Sequence, residues 1–243
     1  MKRLLTLSGI KTYVLYIRLR QWVQSTAKGA EESTFETRRR IIKSAERLFA
    51  MRGIEAVSIR DITKAARVNL AAINYHFGTK SALAAEVFKH CIEPLNVRRL
   101  ELLDAVEKKA GDKGPRLEAV LEAMIRPAVE RGFDQEQGEE TFLRLMGRCL
   151  SEPNVEIEQL VRAHLEKVIR RFDAAFLRAL PGLEPEELFW RMKFMFGALH
   201  FSLLTCGKQA NLPPKLRKTL DAEGLLQRLV TFTAAGLQAS VLS

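Results

Sequence analysis

The side chains that could perform catalysis are few, and they form no known catalytic constellation. Four histidines are spread along the chain, at His76, His90, His164 and His200. The sequence contains no G-x-S-x-G, no G-x-x-x-x-G-K-[ST], no H-E-x-x-H and no G-x-G-x-x-G after a predicted strand. We therefore predict a protein that is not an enzyme and that has no metal site and no cofactor.

The cysteines also argue against a metal site or a disulfide framework. There are three of them, an odd number, at Cys91, Cys149 and Cys206. They are far apart, and each lies in an apolar segment with helical periodicity. This usage is typical of buried thiols in a reducing cytoplasm.

The segment from Ser58 to Leu83 has the pattern of two short helices joined by a tight turn. Ser58 and Asp61 form an S-x-x-D start, in which the hydroxyl accepts a hydrogen bond from an amide of the first turn. Asn69 is suited to cap the second helix, and Gly78 is suited to end it. Two such helices form the helix-turn-helix unit that places its second helix in the major groove of DNA.

The charge of the chain is concentrated around this segment. The formal net charge is +10. Residues 1–90 contain 17 Lys and Arg against 7 Asp and Glu, whereas residues 91–243 contain 22 of each sign. A basic module joined to a neutral body is suited to a polyanion, because phosphate contacts supply most of the non-specific affinity for DNA. The alternative is a basic segment that serves solubility alone.

Residues 1–33 are predicted to be a basic, poorly ordered N-terminal extension. Lys2 and Arg3 followed by apolar residues resemble a secretory leader, but Lys11, Arg18 and Arg20 interrupt the apolar run. A disordered arm, a short amphipathic helix and an over-long start assignment all fit this composition.

The longest apolar run, 194–206, is shorter than the roughly 20 residues of a membrane span. We expect a cytoplasmic protein without membrane contact.

The rest of the chain is predicted to be helical, because no segment shows the period-two alternation of a strand. The fold class is all-α, with a helix-turn-helix domain at 34–83 and a larger helical domain at 84–243, to which the family resemblance given below assigns ligand binding and dimerisation. Ser81 is the predicted cap of a long fourth helix with a kink at Pro94. The other predicted helices are Thr37–Arg52, Leu117–Arg131, Thr141–Ser151, Val155–Leu180, Glu186–Cys206 and Leu220–Ala239.

The helix predicted at Glu186–Cys206 is apolar nearly all round. Trp190, Phe194 and Phe201 fall on one face, and Met192 with other apolar residues covers much of the opposite one. A helix of this kind is buried on several sides or faces a partner subunit. We therefore predict a homodimer formed through the last two helices.

Over about 50 residues the sequence resembles the N-terminal domain of TetR-family transcriptional regulators. The resemblance rests on I-x-x-A-x-x-L-F-x-x-x-G in the first helix, then S-x-R-x-I-x-x-x-A and Y-H-F-x-x-K. The C-terminal part is similar to the PsrA-type subgroup, through 142–153 and 188–202. The family implies a dimer that binds a palindromic double-stranded DNA operator and is released when a small ligand enters the second domain. The subgroup implies a long-chain acyl effector.

The resemblance also implies which residues contact DNA. Ser58 and Arg60 would touch phosphate, Asn69, Leu70 and Ala71 would meet base edges, and Tyr75, His76 and Lys80 match positions that hold the backbone. Many members carry an aromatic residue before the tyrosine, and this chain has Asn74, which suits adenine or a phosphate equally. Arg38 lies in an arginine run near the start of the first helix, where either a phosphate or a solvated basic face would explain it.

The ligand-binding candidates are apolar residues at helical spacing and two polar groups within apolar helices. Apolar residues at such spacing are more often ordinary core than the lining of a cavity. The polar groups, Arg144 and His200, could orient a carboxylate or thioester. The apolar candidates are Met124, Phe133, Phe142, Met146, Phe176, Trp190, Phe194 and Phe201.

A DNA-binding regulator is the function that these features predict, and a small apolar molecule, such as a fatty acid or acyl-CoA, is the predicted effector. The alternative is a helical lipid or small-molecule adaptor that kept the fold without binding DNA. Weak charge asymmetry in the first 90 residues would favour that alternative, and the observed asymmetry is strong.

Overall fold

The computed structural model describes residues 34–133, 141–142, 144–147, 155–207, 213–217 and 220–240, and every regular element among them is a helix. The predicted all-α class is therefore confirmed. In chain order the helices are α1 (34–52), α2 (Ile59–Ala66), α3 (Leu70–Phe77), α4 (Lys80–Ala110), α5 (Leu117–Gly132), α6 (141–142 and 144–147), α7 (Val155–Ala179), α8 (Pro185–Gly207), α9 (Pro214–Arg217) and α10 (Ala222–Gln238). The N-terminal extension predicted at 1–33 lies outside the described residues.

Helices α1–α3 and the start of α4 enclose one apolar cluster. Its centre consists of side chains with no solvent exposure, and these are Ile41, Ala45, Phe49, Val57, Ile62, Ile73, Leu83 and Val87. Each helix contributes residues three or four positions apart, so each turns one apolar stripe inward. The cluster extends past the predicted domain boundary at residue 83, because Ala84 and Val87 belong to it.

The turns of this small domain are fixed by local hydrogen bonds. Gly53, with φ 84°, follows α1 and donates its N–H to Phe49 O at 2.9 Å. Arg67 ends α2 in the left-handed conformation, and Gly78, with φ 74°, ends α3. A left-handed conformation is easily adopted by glycine. Three short connections thus set the angles between α1, α2, α3 and α4.

Helix α4 is the element that joins the two parts of the chain. It runs for 31 residues and passes through Pro94 without ending. Thr79 is its N-cap, with Oγ1 accepting from the Ala82 N–H at 3.0 Å. The predicted cap, Ser81, was wrong, because the chain enters the helix at residue 80 and Ser81 lies inside the first turn.

The C-terminal helices enclose a second apolar cluster between α4, α5, α7, α8 and α10. Its fully buried members include Leu103, Leu121, Ile125, Phe172 and Phe176. The far end of α4 is held to α7 by charged groups, since Arg171 Nη2 lies 2.6 Å from Asp104 Oδ1 and 2.8 Å from Glu107 Oε2. The second cluster therefore anchors α4 at its C-terminal end.

A buried cation also joins α4 to α5. Arg99 is 7% exposed, and its Nε donates to Met124 O at 2.9 Å while Nη1 donates to Asn96 Oδ1 at 3.0 Å. Burial lowers the pKa of the Arg99 guanidinium to about 10, because the charged form loses its hydration. The guanidinium is still protonated at neutral pH, and among the described residues its hydrogen-bond acceptors are uncharged.

Helices α8 and α10 are tied together by a second buried arginine. Arg191 Nη1 donates to Leu237 O at 2.6 Å and to Gly236 O at 3.3 Å, and Nε donates to Glu187 Oε1 at 2.7 Å. The last carbonyl groups of a helix have no partner within it, so a guanidinium from α8 satisfies the C-terminal end of α10.

None of the helices in the described part of the chain is both long enough and apolar enough to cross a membrane.

Candidate nucleic-acid interface

The first turn of α2 is closed by a reciprocal pair of hydrogen bonds. Ser58 Oγ accepts from the Asp61 N–H at 3.1 Å, and the Asp61 carboxylate accepts from the Ser58 N–H at 2.9 Å and from its hydroxyl at 2.7 Å. These bonds, with Arg52 nearby, lower the pKa of Asp61 below its usual value. The predicted capping box is therefore present. It orients the start of α2, where the Arg60 side chain is exposed.

Helix α3 has one buried side and one side that faces solvent. Ile73 and Phe77 are buried in the N-terminal cluster, and Asn69 Oδ1 caps the helix by accepting from the Ala72 N–H at 2.9 Å. The outer side consists of exposed residues that include both apolar and polar groups, namely Leu70, Ala71, Asn74 and Tyr75. Tyr75 is 79% exposed. This outer side is the part of the small domain that could enter a groove.

His76 lies beside this outer side and is partly buried. Its ring meets the Tyr75 ring edge-on at a centroid distance of 5.1 Å and lies 5.9 Å from the Phe77 ring. Burial, with a smaller contribution from the Arg38 charge, lowers the pKa of His76 below its usual value. Its surroundings therefore favour the neutral imidazole in the free protein.

Arg38 links α1 to two other helices. Its guanidinium pairs with Glu86 of α4 and lies 5.4 Å from the centroid of the Phe77 ring of α3. These contacts give Arg38 a packing role within the small domain. Its side chain remains 40% exposed, so the predicted phosphate contact stays a prediction.

Lys80 connects the start of α4 to the loop after α1. Its ammonium group donates to Glu55 O at 3.1 Å and lies 3.8 Å from Glu55 Oε2. The Lys80 charge is thus held at the junction of α4 and the loop after α1. Most of the predicted DNA-contact residues are exposed and Lys80 is partly exposed, the exposed ones being Ser58, Arg60, Asn69, Leu70, Ala71, Asn74 and Tyr75. Their contacts with DNA stay predictions.

The ligand-binding candidates separate into two groups. Met124, Phe142 and Phe176 are buried in the C-terminal cluster, and Phe133 and Met146 pack against it. His200 is partly buried, and burial lowers the pKa of its imidazole, so that it is neutral at pH 7. Arg144, in contrast, is exposed. The core candidates are packed as ordinary core residues, and their contact with a ligand stays a prediction.

The three aromatic candidates of α8 lie on the outside of the chain. Trp190, Phe194 and Phe201 are 57%, 68% and 73% exposed, and the first two rings stack at 6.4 Å. The inner face of α8 is instead formed by Leu188, Met192, Met195, Leu199 and Leu203. The prediction that these rings line an interior cavity is therefore corrected, because the hydrophobic stripe that packs inward is the aliphatic one.

Two further features were missed by the sequence analysis. Glu46 of α1 lies beside His90 and Cys91 of α4, and one ligand atom from each residue lies within 4.8 Å of the others. A shallow cavity of about 230 Å³ lies between α4 and α5, and it is lined by Pro94, Leu95, Arg98, Pro127, Glu130 and Arg131. The sequence offered one local signal, the adjacent His90 and Cys91. Glu46 is 44 residues away along the chain.

The geometry defines a helix-turn-helix protein with a second, larger helical domain, and comparison with known families agrees. The family model described as bacterial regulatory proteins, tetR family, matches residues 41–87. A second, described as tetracyclin repressor-like, C-terminal domain, matches residues 122–236. Together they cover about two thirds of the chain. The chain belongs to the TetR family, whose members are transcriptional regulators and not enzymes.

Curated relatives match parts of the chain. The HTH-type transcriptional regulator AcrR of Shigella flexneri is 34% identical over 99 residues, which are 41% of this chain and 43% of AcrR. The HTH-type transcriptional repressor Rv3405c of Mycobacterium tuberculosis (strain ATCC 25618 / H37Rv) is 46% identical over 50 residues, 21% of this chain and 27% of that protein. The matches thus span less than half the length of these relatives.

Solved structures match over most of the chain. The fatty acid degradation regulator FadR from Bacillus halodurans has a TM-score of 0.56 at 14% identity, covering 84% of this chain and 97% of FadR. AibR, solved in complex with isovaleryl coenzyme A and operator DNA, has a TM-score of 0.52 at 17% identity, covering 81% and 97% of the two chains. At these identities the likeness shows the fold alone.

Proposed function

We propose that this protein is a cytoplasmic, homodimeric transcriptional repressor that binds a palindromic double-stranded DNA operator and is released by a small apolar effector. The observation that carries the proposal is the outer side of α3. Two buried residues, Ile73 and Phe77, hold α3 in place, and the exposed side presents Leu70, Asn74 and Tyr75 to solvent. A short helix held in this way is what major-groove recognition requires.

The electrostatics of the chain support a DNA partner. The excess of positive charge lies within residues 1–90, which include α1–α3. Arg60, at the exposed start of α2, would contact phosphate, as would Lys80 at the start of α4. Base edges would be read by Asn69, Leu70, Ala71 and Asn74, because they lie in the N-terminal part of α3 or on its outer side.

The test is a fluorescence-anisotropy titration of DNA that flanks the protein's own gene, carried out at several salt concentrations. Lys80→Gln should weaken binding and reduce the slope of log K against log salt by about 0.9, because one phosphate contact is lost. Tyr75→Phe removes only the hydroxyl, so it should weaken binding and leave the slope unchanged. Tyr75→Ala should weaken binding further.

The matched control for this titration is Val97→Ala, an exposed apolar residue of α4 that lies outside the small domain. It should bind as the wild type does. Absence of a specific complex with the wild-type protein, or unchanged binding by a Tyr75→Ala/Lys80→Gln double variant, would contradict the DNA-binding proposal. The first result would favour the adaptor alternative.

Dimerisation through α8 and α10 is supported by their outer surfaces. Phe189, Trp190, Phe194 and Phe201 of α8 and Phe232 of α10 are all more than half exposed. Arg191 holds these two helices side by side through the end of α10. An apolar surface of this kind suits a second copy of the chain related by two-fold symmetry. Such a dimer would place two recognition helices on a palindromic operator.

The proposed effector is an acyl compound, bound in the C-terminal cluster. The support is the apolar character of that cluster, which includes Met124, Phe142 and Phe176, and the similarity of 142–153 and 188–202 to PsrA-type regulators. Two structures of the same fold also favour an acyl effector. One is the fatty acid degradation regulator FadR, and the other, AibR, was solved with isovaleryl coenzyme A.

Native mass spectrometry of the purified protein tests the effector. A co-purified acyl species, or an acyl-CoA that binds and releases operator DNA, would support the proposal. A set of acyl-CoAs of increasing chain length that neither bind nor change operator affinity would contradict it.

A further inference from the structure

The junction between the DNA-binding domain and α4 contains a group of three potential metal ligands. Glu46 is on α1, and His90 and Cys91 are on α4. One ligand atom from each side chain lies within 4.8 Å of the other two. Glu46 and Cys91 are half-buried, and His90 is exposed. The group is therefore partly shielded by protein while one side is open to solvent.

The chemistry of the three ligands selects the metal. A cysteine sulfur, an imidazole nitrogen and a carboxylate oxygen are all ligands of Zn²⁺, which is usually four-coordinate and tetrahedral. Mg²⁺ and Ca²⁺ bind through oxygen and do not favour a thiolate. Tetrahedral ligand atoms at the usual Zn²⁺ bond lengths are about 3.4 Å apart, so the side chains need to close by at most about 1.4 Å.

We propose that Glu46, His90 and Cys91 bind one Zn²⁺ ion, with water as the fourth ligand. The open coordination position follows from the exposure of His90 on the solvent side of the group. A site with three protein ligands and one exchangeable position is weaker than a closed four-ligand site. It is therefore suited to reversible metal binding and not to a permanent structural role.

The location of the site gives the metal a mechanical role. Cys91 packs against both apolar clusters, that of the small domain and that of the C-terminal domain. A Zn²⁺ ion would bond α1 directly to α4 one helical turn after Val87, the last residue of α4 that is buried in the N-terminal cluster. Bound metal would thus hold the DNA-binding domain in one orientation on α4. This consequence for DNA binding rests on the proposed function, and metal binding itself does not.

The test uses Co²⁺ as a spectroscopic probe for Zn²⁺ in the full-length chain, after chelator treatment and under reducing conditions. The wild type should bind one Co²⁺ per chain. It should give a near-ultraviolet thiolate-to-cobalt charge-transfer band and intense visible bands of a tetrahedral ion. Zn²⁺ added in equal amount should remove both, because Zn²⁺ binds more tightly than Co²⁺ at such ligands.

Variants assign the ligands. Cys91→Ser should abolish the charge-transfer band, and a Cys149→Ser/Cys206→Ser double variant should keep it. Glu46→Gln and His90→Ala change a half-exposed and an exposed position, so they should fold normally, with helical content checked by circular dichroism. Each should weaken Co²⁺ binding by more than about 100-fold, since loss of a second-shell partner alone costs 10–100-fold. No charge-transfer band in the wild type, or a band that persists in Cys91→Ser, overturns the proposal.

Operator affinity, measured with and without Zn²⁺, is a separate test of the mechanical role. Zn²⁺ should change the operator affinity of the wild type and leave that of Glu46→Gln unchanged. If the protein does not bind DNA at all, the Co²⁺ spectra still decide the metal site. If Co²⁺ binds as expected and the wild-type affinity for DNA is insensitive to Zn²⁺, the site stands and its mechanical role is wrong.

Discussion

The charge state of one carboxylate controls the first turn of α2. Asp61 accepts hydrogen bonds from the Ser58 hydroxyl and amide, and these lower its pKa below 3.8. A carboxyl group whose pKa is lowered by folding stabilises the protein above its unfolded pKa. That contribution is lost as the pH falls through the lower, folded value. Asp61→Asn should therefore destabilise the protein at pH 7, and its difference from the wild type should shrink towards pH 3.

Urea unfolding followed by circular dichroism at pH 7 and pH 3, at fixed protein concentration, measures this difference. The control is Asp112→Asn, an exposed acid in the short turn Gly111–Lys113 that follows α4. It should leave stability nearly unchanged at both values of pH. A loss of stability in Asp61→Asn that is equal at pH 7 and pH 3 would show that the carboxylate charge is not involved.

Contacts between residues close in sequence could be predicted, whereas distant contacts could not. The caps at Ser58 and Asn69 and the stop at Gly78 follow from residues within three or four positions of one another. The pairing of Arg38 with Glu86 joins residues 48 positions apart, and no local pattern indicates it. The same reason explains why Glu46 was not associated with His90 and Cys91.

Close packing between α5 and α8 depends on one glycine. A Cβ atom placed on Gly132 would lie 2.7 Å from Leu203 Cδ2, and both residues are buried. Gly132→Ala should therefore destabilise the protein by about 1 kcal/mol, because overpacking against the buried Leu203 side chain outweighs the helix propensity that alanine adds. Leu203→Ala should cost about 2–5 kcal/mol through the cavity that it leaves. The double variant should cost less than the sum, by at least about 0.5 kcal/mol, because the added methyl occupies space left by the leucine.

Chemical unfolding of the four proteins of this cycle, at one protein concentration, gives the coupling energy. A second cycle that combines Gly132→Ala with Leu188→Ala is the control, because Leu188 is buried on the same helix about 22 Å from Leu203 along its axis. In this control cycle the free-energy costs of the two single variants should add. Additive costs in the first cycle would mean that α5 and α8 adjust their separation when the methyl is inserted.

The helices were predictable as elements, but the inward face of α8 was not. Helical periodicity marked two apolar faces on this helix, one with the aromatic candidates and one with Phe189, Met192, Phe196 and Leu199. Of the second face, Met192 and Leu199 are buried in the core, whereas Phe189 and Phe196 are exposed. Sequence periodicity shows which residues share one face of a helix, but it does not show whether that face packs against the core or against another subunit. The aromatic residues therefore seemed equally suited to an interior cavity and to a subunit interface.

The exposed rings of α8 predict the oligomeric state of the whole molecule. Light scattering coupled to size-exclusion chromatography at micromolar concentration should give about twice the chain mass of 27.5 kDa. Phe194→Glu should give the monomer mass, because a charge would be buried without a partner in the centre of the interface. Val97→Glu, which alters an exposed apolar residue of α4, should remain dimeric. A monomeric wild type, or a dimeric Phe194→Glu variant, would contradict the proposed interface.

Helix α4 has the dimensions of a lever arm. Its 31 residues span about 46 Å, and its far end is fixed to α7 through Arg171 while its near end carries Leu83 and Val87 of the N-terminal cluster. A tilt of about 5° at the fixed end displaces the near end by about 4 Å, slightly more than the 3.4 Å rise of one base pair. In a dimer, opposite displacements of the two α4 helices would add. The distance between the two recognition helices would then change by about two base-pair steps, whereas the half-sites of the operator stay about 34 Å apart. A rotation of about 5° would thus be enough to lose the match with an operator.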